Sequence, residues 1–79
     1  MRLILEIPHD LFKVSVFAWN NKYMIKLEYG DFEQTYKVSE WDLTSENEVP
    51  ELVNKLLAKS PEKIFKQMNE NFMAAMDEL

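Results

Sequence analysis

Two short turns, ten residues apart, constrain this chain more than any other feature. Gly30 is its only glycine, and Gly30-Asp31 stands between Tyr29 and Phe32. Glycine accepts a positive φ at the first central position of a type II′ turn, so the pair predicts a two-residue hairpin. Asn20-Asn21, between Trp19 and Lys22, predicts a type I′ turn, because asparagine tolerates the left-handed region. A two-residue turn fixes the register of the strands it joins. The first turn sets Tyr29 opposite Phe32 and Ile25 opposite Tyr36; the second sets Val16 opposite Ile25 and Phe17 opposite Met24.

The two registers agree. One face then carries Val14, Val16, Ile25 and Leu27, flanked by Phe12, Ala18, Tyr23, Tyr29, Phe32, Tyr36 and Val38, with Gln34 the one strongly polar member. A face this apolar requires a covering layer. The other face carries Lys13 beside Glu28 and Ser15 beside Lys26. Arg2 to Ile7 reads as a further strand ended by Pro8, which has no N–H for a ladder. With a four-residue loop over Pro8 to Leu11, Leu3 meets Val16, Leu5 meets Val14, Ile7 meets Phe12, and Ile4 falls on the outer face. A loop of this kind fixes register less firmly than a tight turn, and a parallel or crossed first strand stays open.

From about residue 40 the apolar period changes from two to that of a helix. Val49, Leu52, Val53, Leu56 and Leu57 form one stripe, with Ser45 and Glu48 as a capping box and Pro50 near the helix start. Ser60-Pro61-Glu62 reads as an N-cap hydroxyl, a first-turn proline and an acid at the positive dipole end. A second stripe follows through Ile64, Phe65, Met68, Phe72, Ala75, Met76 and Leu79. The expectation is a single α+β domain over residues 1–79. A three- to four-stranded antiparallel meander (2–38) lies under a C-terminal helical hairpin (46–79), a ββββαα two-layer sandwich.

Composition narrows the function classes. Apolar residues make up 47% and aromatics 13% of the 79 residues, which argues for a packed core rather than disorder. Nine basic against fourteen acidic residues give a net charge of −5, unfavourable for phosphate backbones and anionic membranes. The chain has no Cys, and the longest apolar run near its start is Leu3-Ile4-Leu5, too short for a leader core or membrane span. A soluble cytoplasmic protein is therefore expected.

Chemistry-bearing constellations are sparse. His9 is the only imidazole, beside Asp10 in the Pro8 turn, and excludes a His–His metal pair. One glycine excludes a glycine-rich phosphate loop. Glu28 opposite Glu33 is a carboxylate pair whose neighbours Lys13 and Lys26 screen it. Neither catalysis nor a cofactor or metal is expected. The outer sheet face is the expected binding surface, through Phe17, Trp19, Met24 and Ile4, since aromatics and methionine are the usual centre of a protein interface.

The expected function is a small acidic protein-binding module without catalytic activity, its partner another protein or itself. Self-association would run through the outer sheet face or an edge strand. The alternative is an acidic inhibitor or immunity-type protein occupying a basic site through Glu40, Asp42, Glu46, Glu48 and Glu51. A small-ligand site between helices and sheet, with Gln34, Tyr23 and Tyr36 as its polar groups, is the least favoured, because so small a core tends to be filled.

Overall fold

The computed structural model describes residues 1–79. Four strands form one antiparallel sheet in chain order: β1 (Arg2–Ile7), β2 (Lys13–Trp19), β3 (Lys22–Tyr29) and β4 (Phe32–Ser39). A 3₁₀ turn over Glu40–Asp42 leads to α1 (Glu48–Leu57) and α2 (Pro61–Asp77). This is the α+β meander with a helical hairpin that the turns and periodicities predict.

Both tight turns sit where the sequence places them. Asn20 and Asn21 have φ of 54° and 63°, the two positive values of a type I′ turn. Gly30 has φ of 59° and Asp31 is not left-handed, as a type II′ turn requires. The ladders follow in register from Lys13 opposite Glu28 to Trp19 opposite Lys22, and from Lys22 opposite Ser39 to Tyr29 opposite Phe32. Val14, Val16, Ile25 and Leu27 are buried together with Phe12, Val49, Val53 and Phe65, so α1 and the start of α2 close over the predicted face.

The first strand differs from its expected register. Leu5 lies opposite Val16 and Ile7 opposite Val14, two residues along from the expected pairing. Phe12 is the cause. It leaves the ladder to fill the core, its ring 5.4 Å from Phe65, 6.0 Å from Tyr29 and stacked 4.8 Å from His9. The connection lengthens and the strand slides. A bulge between Leu3 and Leu5 then changes the parity: Leu3 pairs with Phe17, while Ile4 has no partner and packs against the core.

Two helix starts also differ in detail. Glu48 reaches back to accept hydrogen bonds from the N–H and hydroxyl of Thr44, and Ser45 Oγ accepts from Asn47 N at 3.3 Å, so the Ser45–Glu48 box does not form. Ser60 makes no side-chain cap; it stands in the left-handed region at φ 59°. Pro61 disfavours a right-handed Ser60, and the chain must reverse between two helices there.

Gln34 is the polar residue inside the core, and it is satisfied. Its Nε2 donates to the Pro61 carbonyl at 3.0 Å, and Tyr36 OH donates to its Oε1 at 2.9 Å. This short chain of bonds ties the first turn of α2 to β4. The tie lies two residues from the Phe32 end of the strand, and α2 runs toward that end, where Phe72 meets Phe32 edge-on at 5.8 Å. A helix of 17 residues is roughly 25 Å long at 1.5 Å per residue, so its later turns pass beyond the sheet. The expectation that the whole α2 stripe covers the sheet is thus corrected. Phe65 is buried and Met68 half-buried, but every residue from Asn69 onward is exposed. The resulting molecule measures 46 × 25 × 19 Å.

Two substitutions check this account by denaturant unfolding. Gly30→Ala is expected to cost about 1 kcal/mol, all of it backbone conformation, since nothing stands within 4 Å of the added Cβ. Gln34→Ala is expected to cost about 2 kcal/mol by removing the bond to Pro61 and leaving Tyr36 OH without its acceptor. A Gln34→Ala protein as stable as the parent would mean that the tie does not hold α2.

Candidate interaction surface on the outer sheet face

On the side of the sheet away from the helices, Phe17 and Met24 stand directly opposite one another. Side chains so paired share a face and touch. Leu3 flanks Phe17 from β1 through the bulge, and Trp19 extends the row toward the Asn20-Asn21 turn. Phe17 and Met24 are half-buried by their neighbours, whereas Trp19 and Leu3 are 54% and 49% exposed. No helix lies over them. Trp41, the other side chain near this end, is 78% exposed and leaves the row open. Its segment is pinned by Glu40 N donating to Asn21 O at 3.0 Å and Trp41 N donating to Ser39 Oγ at 3.2 Å.

Of the four expected members, the structure brings Phe17, Trp19 and Met24 together and removes Ile4, which the bulge turns toward the core. Leu3 takes its place. A bulge leaves no mark in the alternation of a six-residue strand with apolar residues at three consecutive positions, so this exchange was invisible in the sequence.

The charges around the row are not those of the chain as a whole. Lys22 lies opposite Trp19, Lys37 opposite Met24, and the Lys26 ammonium is 5.8 Å from the Phe17 ring centroid. Lys26 also reaches Glu33 at 3.7 Å. A cation near an aromatic face is attracted by the ring quadrupole, which holds Lys26 against the apolar row. Toward the Gly30 end the same face becomes acidic, with Glu28 directly opposite Glu33. An apolar centre therefore has lysines along one side in a protein of net charge −5.

The remaining candidates are accounted for by local structure. His9 Nδ1 accepts from Leu11 N at 3.1 Å while its ring stacks on Phe12, so the imidazole shapes the β1–β2 loop. In the acidic segment, Glu40 and Asp42 lie on the 3₁₀ turn and Glu46 in the loop after it; Glu51 reaches Lys55 at 3.8 Å. Glu48 is held by Thr44, and those two hydrogen bonds keep its carboxyl below the usual carboxylate range. Tyr36 bonds to Gln34 and Gln34 to Pro61, and neither they nor Tyr23 line the recess beside the start of α2. That recess, about 450 Å³, opens at the Gly30-Asp31 end beside α2, between Leu11, Tyr29, Phe32 and Lys66.

No family model, curated protein or solved structure matches this chain. No helix is long and apolar enough to cross a membrane.

The Glu48 contact has a definite pH signature. A carboxylate whose pKa is lower folded than unfolded contributes stability above its unfolded pKa and loses it as pH falls through the folded one. The stability difference between the parent and Glu48→Gln is therefore expected at neutral pH and should vanish in acid. Denaturant midpoints across the acid range measure it; a difference that persists below the carboxylate range would place its origin elsewhere.

Proposed function

We propose that this protein is a non-catalytic binding module that docks another protein chain on the outer face of its sheet. The single observation that carries this reading is the uncovered row of Leu3, Phe17, Met24 and Trp19 on the face that neither helix packs against. Apolar and aromatic groups gathered on one open face stabilise association when a partner removes them from water. Lys22 and Lys37 beside the row define the partner further: an apolar centre with carboxylates on its rim. The acidic-inhibitor reading draws less support, because Glu48 and Glu51 already have intramolecular partners, Thr44 and Lys55.

The test compares the parent and a Phe17→Ser, Trp19→Ser variant as baits in the native lysate. Both positions are at least partly open to solvent, so the variant retains the core. Proteins bound directly by the parent, confirmed by purified reconstitution, are expected to lose at least tenfold in affinity for the variant. Substitution of Lys22 and Lys37 by Ser should slow association and weaken its dependence on salt. Equal capture of the same direct partners by parent and Phe17→Ser, Trp19→Ser proteins would refute the proposed surface.

A further inference from the structure

The sheet has two outer edges, and only one of them is blunted. An edge strand presents unpaired N–H and C=O groups on which another strand can form. β1 interrupts its edge with the bulge between Leu3 and Leu5 and is followed by Pro8, which has no N–H. β4, at the other edge, runs eight residues from Phe32 to Ser39 with no bulge, glycine or proline.

The alternation of the ladder decides which groups of β4 are free. The residues flanking a two-residue turn exchange both backbone hydrogen bonds, and such pairs recur at every second position. Tyr29 and Phe32 flank Gly30-Asp31, so Phe32, Gln34, Tyr36 and Val38 bond to β3. Glu40 N, in the same alternation, donates to Asn21 O at 3.0 Å. The N–H and C=O groups of Glu33, Thr35 and Lys37 therefore point off the sheet. All three residues are exposed, and their side chains stand on the outer face beside Glu28, Lys26 and Met24.

These side chains are complementary to their own sequence. Glu33 and Lys37 stand at equal distances on either side of Thr35. In an antiparallel copy with Thr35 opposite Thr35, each Glu33 meets Lys37 of the other copy and the two threonines pair between them, both favourable cross-strand pairs. A register centred on Glu33 or on Lys37 sets like charges opposite. Only the register centred on Thr35 gives every charged residue of β4 an opposite charge. On the helical side it places Phe32 opposite Val38 and Gln34 opposite Tyr36.

The surroundings favour the same arrangement. Glu33 faces Glu28 across its own ladder, and Lys37 has Lys22 diagonal to it and no ion pair within the chain. An acidic end and a basic end of the face are thus brought together by the two-fold. Asp31, in the turn, falls opposite Ser39, and Glu40 lies past the strand on the 3₁₀ turn. α2 starts at Gln34, tied through Pro61, and runs toward Phe32, so the two copies of the helix leave the axis in opposite directions.

We propose that two copies of this chain join β4 to β4 across a two-fold axis at Thr35, forming one continuous antiparallel sheet with both helical hairpins on the same side. The contact is isologous and consumes the open edge of each copy, so association stops at two. It leaves the row of Leu3, Phe17, Met24 and Trp19 open, with Lys22 beside it.

Sedimentation of the full chain over a wide concentration range, with amide hydrogen exchange, tests this. The parent is expected at twice the chain mass, with the Glu33, Thr35 and Lys37 amides slowed. Thr35→Pro removes an N–H that has no partner within the chain, and should give a monomer that retains its far-ultraviolet dichroism. Glu33→Lys and Lys37→Glu each set like charges opposite in a homodimer and should weaken it about tenfold. Mixed in equal amounts, those two proteins carry opposite charges at every pair and should recover the parental affinity. Phe17→Ser, Trp19→Ser should remain dimeric, separating this edge from partner docking on the sheet face. A monomeric parent, a dimeric Thr35→Pro protein, a mixture no tighter than its components, or a monomeric Phe17→Ser, Trp19→Ser protein would each overturn the proposal.

Discussion

The left-handed backbone of Asn20, Asn21 and Gly30 underlies the rest of the molecule. Three residues at positive φ reverse the chain twice in two-residue turns, and each reversal leaves one possible pairing of its strands. Because side chains alternate across a strand, that pairing also decides which side of the sheet each residue occupies. Ile25, central in the core, and Met24, central in the open row, differ only in parity. A slip of one residue at either turn would exchange them and would leave both the helices and any partner with the wrong surface.

The helical layer depends on a second, smaller constraint. Gln34 is a polar group in an apolar face, tolerable only because the Pro61 carbonyl and Tyr36 hydroxyl answer it. Its position near one end of β4 determines where α2 begins on the sheet, and hence how far the helix extends past it. The aromatic group of Phe12, Tyr29 and Phe65 sits at the same end, with ring centroids 5.4 to 6.0 Å apart, and fixes the direction in which the helix leaves. One hydrogen-bonded glutamine and three rings thus convert a covering helix into a projecting one.

Two surfaces with different chemistry result. The outer sheet face joins an apolar row to lysines; the end of α2 joins an apolar stripe to carboxylates. They lie on opposite layers, so occupation of one leaves the other accessible.

The sequence by itself determined the strands, the two inner registers, the core face and most of the open row. These follow from local turn chemistry and from side-chain alternation, which act over a few residues and are written in consecutive positions. The helix periods were equally legible, because an apolar stripe is a local pattern as well. The tertiary structure alone decided the register of β1, the exchange of Ile4 for Leu3, the left-handed Ser60 and the overhang of α2. Each depends on a contact between residues distant in the chain or on the geometry of packed elements. Phe12 against Phe65 shifted the first strand, and Gln34 to Pro61 placed the second helix. Such contacts form only once the layers have met, and no periodicity records where along a sheet a helix will start.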